Sequence, residues 1–320
     1  MDEQTGLADR FEAQRGQLRS IAYRMLGSLH EADDAVQETW LRLSRTAART
    51  SERPGPAHGD PDPAAGRPDP AAGRPEPVEN LPAWLTTVVS RVCLDMLRTR
   101  GTRREDFVGG RVPDHIAAAE AHTPEEEALL IESVGRALLV VLATLGPAER
   151  VAFVLHDSFA VPFDRIAAIV ERSPTATKKL ASRARAKVRG TPDVPDTAPT
   201  GHRRAVEAFL AAARGGDIDA LLTVLAPDVV RRADPAALPP GAATELHGAD
   251  AVARETVLLA RNARHAAVLL LDGAPGIVVA PRGRLLLALT LTVRSGRITS
   301  YEVVSAPSRL RGLTLAVLPE

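Results

Sequence analysis

The heptapeptide DPAAGRP occurs twice in succession between Asp62 and Pro75, inside a tract from Thr46 to Glu79 crowded with Pro and Gly. Each proline removes an amide donor and obstructs helix, and this spacing leaves no room for a helix or a paired strand. The tract cannot belong to a core, and it reads as an extended, mobile insertion in the first folded body. A second, shorter break, TPDVPDTAPTG, runs from Thr191 to Gly201. With 320 residues and 45% apolar content, the chain exceeds one ordinary domain and can build several cores. The partition that follows is a body over 1–108 interrupted at 46–79, a connector over 109–125, a second body over 126–190, a linker over 191–200 and a third body over 201–320.

Within the first body the periodicity predicts a helix from about Asp9 to Leu26, with Phe11, Leu18, Ile21, Ala22 and Met25 at helical spacing and Gly27 ending it. Ser28 and Glu31 form a capping-box pattern that opens a second helix. One face of that helix carries Ala32, Val36, Trp40 and Leu43, and the other carries Asp33, Asp34, Gln37 and Glu38. A third helix is predicted in NLPAWLTTVVSRVCLDMLRTRGTRRE, with Pro82 in its first turn and Leu85, Val88, Val89, Val92 and Met96 as its buried stripe. Thr87, Arg91 and Arg98 lie outside that stripe, and Arg98, Arg100, Arg103 and Arg104 make its end basic.

Charge is sorted along the chain although 40 Lys and Arg balance 40 Asp and Glu. From Arg172 to Arg189 there are seven basic residues and no acid. Ser173 suits an N-cap and Pro174 a first helical position, so RSPT breaks a helix over Pro162–Glu171 from the next one, TATKKLASRARAKV. A helix, a tight turn and a second helix rich in Lys and Arg is the helix-turn-helix arrangement, whose second helix enters the major groove. Thr175, Thr177, Lys178, Lys179, Ser182, Arg183 and Arg185 are its candidate DNA contacts, with Leu180, Ala184 and Val188 facing inward.

Beyond Gly201 the pattern changes class. Two helices (RRAVEAFLAAARGG and DIDALLTVLAP) lead to a short strand near Val229 and a helix near Asp250–Asn262. Four strand-like runs follow, HAAVLLL, GIVVA, RLLLALTLTV and RITSYEVVS, separated by the hairpin turns DGAP, PRG and RSG. Helices followed by a meander read as α+β.

Other classes are disfavoured. MDEQTGLADRFEAQ is acidic without an apolar segment, so no signal peptide is expected, and no apolar run reaches membrane-spanning length. A cytoplasmic location with no membrane partner is expected. One cysteine, Cys93, on an apolar stripe reads as a core residue, and neither a metal site nor a cofactor is expected. Asp234, His247, Asp250, His265 and Asp272 are the acid–base candidates of the third body, and they form no compact motif; Asp250 reads as an N-cap and Asp272-Gly273 as a turn. No enzymatic activity is expected.

Four segments carry a family resemblance. RFEAQRGQLRSIAYRMLGSLHEADDAVQETWLRL resembles region 2 of extracytoplasmic-function (ECF) sigma factors, and NLPAWLTTVVSRVCLDMLRTRGTRRE resembles its promoter-melting, minus-ten-reading part. LGPAERVAFVLHDSFAVPFDRIAAIVERSPTATKKLASRARAKV resembles region 4, which reads the minus-35 element. HRRAVEAFLAAARGGDIDALLTVLAPDVV resembles a SnoaL-like domain of the nuclear-transport-factor-2-like superfamily, a pairing found in the SigJ-like subgroup. The resemblance implies a multidomain protein: two all-α sigma domains, the second with the helix-turn-helix, followed by an α+β SnoaL-like cone.

It also implies a function. In the family the acidic helix docks on the clamp helices of the largest subunit of core RNA polymerase, and Asp33, Asp34, Gln37 and Glu38 match those positions. Thr87, Arg91, Arg98, Arg103 and Arg104 match the minus-ten side, where Trp84 is a candidate for stacking on a base or for ordinary packing. Three places depart from the subgroup. RADPAALPPGA stands where a glycine-rich DGGGK loop follows RAD, GGRVPDHI replaces a WLPEP-like connector, and SAPSRL replaces NPDKL. Val112, Pro113, Asp234, Pro307 and Leu310 lie in or beside these places and are the expected regulatory contacts; the tail's Leu313, Leu315, Val317 and Leu318 are too apolar to be left entirely in water, and either this contact or ordinary packing within the cone accounts for them. The competing reading is a DNA-binding regulator that senses a small-molecule ligand in the C-terminal pocket and docks on no polymerase.

Overall fold

The structure, a computed structural model, describes residues 2–51, 80–102, 135–190, 200–238, 241–258, 260–281 and 285–319. The heptapeptide repeat, the connector around Val112 and Pro113, and Arg103 and Arg104 lie outside these residues. The chain forms two compact units, Met1–Met96 and Leu97–Glu320.

In the first unit α1 (Asp2–Leu26) and α2 (Leu29–Ser51) are joined through Gly27 at φ 76°. They bury Leu18, Ile21 and Met25 against Ala32, Val36 and Leu43, the stripes that the 3.6-residue period picks out. α2 runs past the expected break at Thr46. The segment TAARTS holds no Pro or Gly, and the Thr46 hydroxyl donates to the Arg42 carbonyl, so the helix has no reason to stop there. α3 (Leu81–Thr102) opens with the Asn80 side chain accepting the Ala83 amide, and buries Leu85, Val89, Val92 and Cys93.

The second unit begins at Leu97, within α3, and among the described residues four further helices lead up to residue 190. α4 (Arg136–Ala143) buries Leu139, Val140, Val141 and Leu142, so it is covered almost all round. α5 (Pro147–Phe153) widens into a π-type turn over Val154–Ser158, and α6 (Phe163–Val170) and α7 (Pro174–Arg189) follow.

The rest is the expected α+β domain. α8 (Thr200–Gly215), α9 (Ile218–Val224) and α10 (Ala249–Leu258) pack with a sheet of β1 (Leu225–Ala233), β2 (Glu245–His247), β3 (Ala266–Leu271), β4 (Ala274–Val279), β5 (Leu287–Arg294), β6 (Arg297–Val304) and β7 (Leu315–Ala316). The strand order is β2-β1-β6-β5-β4-β3-β7, with β1 parallel to β6 and the other pairs antiparallel. Asp272-Gly273 and Ser295-Gly296 all have positive φ, as two-residue hairpin turns require. α10 starts one residue before Asp250, which lies in its first turn rather than at its cap.

Over β3, β4 and the start of β5 both faces of the sheet are buried. Phe209, Leu221 and Val252 share one cluster with Ile277, Leu287, Leu291 and Tyr301 on the inner face. The alternate positions, among them Leu269, Val278 and Ala288, are fully buried on the other face. α4 packs on β3, and the end of α7 packs on β7.

Candidate nucleic-acid interface

The turn before α7 is built for a sharp change of direction. Glu171 takes the left-handed conformation at φ 57°, and the Arg172 amide returns to the Ala167 carbonyl, which closes α6. Ser173 then caps α7, its hydroxyl accepting the Ala176 amide at 3.2 Å, and Pro174 occupies the first turn. Thr175, Lys178, Lys179, Ser182, Arg183, Ala186 and Arg189 are exposed, so they share one continuous helix face. Lys179, Arg183 and Arg189 have no ion pair among the described residues, and the Lys178 ammonium lies 5.9 Å from the Phe163 ring centre, a cation–π distance. Phe163 itself stacks on His156 at 4.0 Å.

Two expected contacts lie elsewhere. Thr177 is fully buried and donates to the Ser173 carbonyl, so it packs α7 onto its neighbours instead of facing DNA. Arg185 makes a bidentate pair with Asp157 at 2.8 and 3.0 Å, which raises its pKa, and Lys187 pairs with Glu149 at 2.8 Å. Sequence reasoning did not pair these groups because the partners are 28 and 38 residues apart.

The acidic helix is organised differently. Asp33 pairs with Arg19 at 2.8 Å, Asp34 lies 3.7 Å from His30, and Glu38 pairs with Arg42 at 2.8 Å; Gln37 is exposed. Leu41 follows them on the same face and is 42% exposed, a position the sequence reading missed because a leucine in an amphipathic helix is assigned to the core. On α3, Arg91 and Arg98 are exposed, Trp84 is half-buried, and the half-buried Thr87 donates to the Ala83 carbonyl.

Residues 10–58 match the profile of sigma-70 region 2, and residues 135–188 match that of sigma-70 region 4. Over 95% of its length the chain is 33% identical to the ECF RNA polymerase sigma factor SigJ of Mycobacterium tuberculosis, of which the match covers 93%. The chain belongs to the ECF sigma factors. It is also 32% identical, over 97% of both chains, to the probable ECF RNA polymerase sigma factor SigI of the same organism. The crystal structure of M. tuberculosis SigJ aligns with 95% of this chain and 98% of its own at 29% identity, with a TM-score of 0.39.

The C-terminal domain of this sigma factor brings three of the expected regulatory residues together. Asp234, at the end of β1, accepts the Ser305 and Ala306 amides at 2.9 Å each and pairs with Arg309 at 2.9 Å. Burial works against its charge, but these donors outweigh it and hold the carboxyl below the usual carboxylate range. They anchor α11 (Pro307–Gly312), where Pro307 takes the first position and Leu310 is buried. The tail then returns along β3. Asp272 accepts the Thr314 amide at 2.8 Å, and beyond β7 the Val317 amide donates to the Val188 carbonyl at the end of α7, 2.8 Å away. Leu315 is buried, while Leu313, Val317 and Leu318 are half-buried.

The acid–base candidates do not converge. His247 pairs with Glu245 at 3.0 Å, Asp272 serves its turn, and His265 accepts from Arg264 at 3.0 Å. What the sequence reading missed is a buried polar cluster. Arg231, 1% exposed, forms a two-point pair with Glu255 and donates to the Ala243 carbonyl. Beside it the Tyr301 hydroxyl lies 3.3 Å from the Thr256 hydroxyl, and burial pushes the phenol up to about 12. Among the described residues no group of His, Cys, Asp and Glu could hold a metal ion, and no helix is long and apolar enough to cross a membrane.

Proposed function

We propose that this sigma factor binds core RNA polymerase through α2, reads the minus-35 element with α7 and the minus-ten element with α3, and works in the cytoplasm. The exposed cation face of α7, opened by a capped turn, is the observation that carries the reading. Phosphates would be neutralised by Arg189 and Lys178, while Lys179, Ser182 and Arg183 would reach base edges. The clamp helices of the largest polymerase subunit are the docking surface that suits Asp34, Gln37, Glu38 and Leu41. A regulator without polymerase docking would have no use for region 2, so the sigma reading is favoured over it. In vitro transcription with purified core polymerase and a promoter library tests it: the chain should confer transcription on a defined promoter class. DNA binding without transcription would overturn the reading.

The C-terminal domain acts as the built-in regulator of this sigma factor. Two contacts support that: α4 against β3, and the Val317 amide on the Val188 carbonyl at the end of the reading helix. Gly190, at φ 76°, lies at this seam, and a Cβ there would come within 3.0 Å of the Ala316 Cβ. Truncation from Ala306 would remove Leu310 from the core as well, so a finer cut is needed. Val317→Pro removes the donor while leaving Leu310 in place. Transcription should change severalfold with core binding retained; unchanged transcription at every promoter would remove the seam from the regulatory account.

A further inference from the structure

At the edge of the sheet away from region 4 lies an open cleft of about 420 Å³ with its own chemistry. Part of its lining is apolar, Leu222 and Pro227 together with the fully buried Leu225, where α9 passes into β1. The lining also includes two arginines, Arg254 from α10 and Arg297 from the start of β6. Both arginines are exposed, and neither has an ion pair among the described residues. Among the described residues five other arginines of this domain are engaged: Arg203 with Glu207, Arg214 with two carbonyls, Arg231 with Glu255, Arg232 with Glu245, and Arg309 with Asp234 and Glu302.

We infer that this cleft is a binding site for a small organic anion with an apolar body, such as a medium-chain or aromatic carboxylate. Its size falls in the range of small-molecule sites, and such sites combine an apolar wall with a few fixed polar groups. Two guanidiniums face one carboxylate, that of Asp250, so the lining carries net positive charge. His247 adds no free cation because its Nε2 is taken up by Glu245 at 3.0 Å. A planar fork of donors suits a carboxylate, while the leucine and proline wall gives an alkyl or aryl group a dry surface. Pairing both arginines to phosphate alone would leave that wall unused, which favours the amphipathic anion. The inference does not rest on the sigma reading, since the cleft uses no residue of α2, α3 or α7.

Isothermal titration of the full chain with hexanoate, hexanol and sulfate at constant ionic strength tests it. Hexanoate should bind saturably, and hexanol and sulfate at least about tenfold more weakly. Arg254→Gln and Arg297→Gln should each weaken hexanoate by about tenfold, whereas Arg294→Gln, on the neighbouring strand outside the lining, should leave it unchanged. No saturable binding, equal binding of hexanol or of sulfate, or indifference to both lining variants would overturn the site. None of these outcomes depends on transcription, so failure here leaves the polymerase reading standing.

Discussion

α2 and α7 both sort their charge onto one face, yet they hold it in different states. The acids of α2 are largely satisfied within the chain, Asp33 by Arg19 and Glu38 by Arg42. On α7 the division is spatial: Arg185 and Lys187, toward the helix end, are neutralised by Asp157 and Glu149, while Lys179 and Arg183 are left to solvent. A free cation face gains its full attraction on meeting a polyanion, because counterions leave the phosphates and no internal pair must break. A face already paired must exchange partners on docking, so its charges add more to specificity than to affinity. In α2 the exposed Leu41 and uncharged Gln37 can therefore contribute more than the acids themselves.

The largest effect that could break this contrast lies on α7. Lys179→Ala with Arg183→Ala should lower transcription from minus-35-dependent promoters about hundredfold, taking about 1–3 kcal/mol for each base-reading side chain. Core binding, measured by co-elution, should be unchanged, and its parallel loss would show that α7 serves folding instead.

Next comes a carboxylate with every partner filled. Asp234→Asn should destabilise the C-terminal domain by about 1–2 kcal/mol in thermal unfolding, since charged hydrogen bonds to two amides and Arg309 are weakened. The sign with pH follows from its lowered pKa. The stabilisation is complete above the ordinary carboxylate value of 3.8 and is lost as pH falls through the lower folded value. The Asn variant should lack that acid-side loss, and an identical pH profile would sink the assignment.

Leu41→Ala should weaken core binding about fivefold, from roughly 1 kcal/mol of apolar contact, with promoter selectivity intact. If Asp33→Asn weakens binding more than Leu41→Ala, the paired acids of α2 matter more than the comparison allows. Smallest is Arg185→Ala, expected to change transcription by no more than about twofold and stability by about 0.5 kcal/mol, as a partly exposed pair allows. A loss as large as that of Arg183→Ala would place Arg185 on DNA.

Much of this was legible in the residues. The four meander strands were legible as strand-like runs bounded by turns, and Asp272-Gly273 and Ser295-Gly296 marked the turns at which two of their hairpins reverse. Ser173-Pro174 gave the start of α7 to the residue. What escaped has physical reasons. β2 and β7 span three and two residues, too short for any period, and only partners far along the chain make them strands. The parallel β1–β6 pair likewise depends on a crossover that no local pattern encodes. Nothing in the sequence singles out Arg231 or Glu255, since the pair forms only when folding brings together residues 24 apart. Thr177 read as a polar face residue, and its burial is visible only once α7 is packed.

The seven-stranded sheet has one further consequence, a mechanical one. Over β3 and β4 it is clad on both faces by buried side chains, and its strands are hydrogen-bonded in one order from β2 to β7, with register shifts in the β1–β6 and β5–β6 pairs. Interiors of this density compress little and pass strain on rather than absorbing it. The sheet is thus a beam with the anion cleft near one end and the end of α7 at the other. A load applied at Arg254 and Arg297 would run along that beam to the seam where α7 packs on β7 and the Val317 amide meets the Val188 carbonyl.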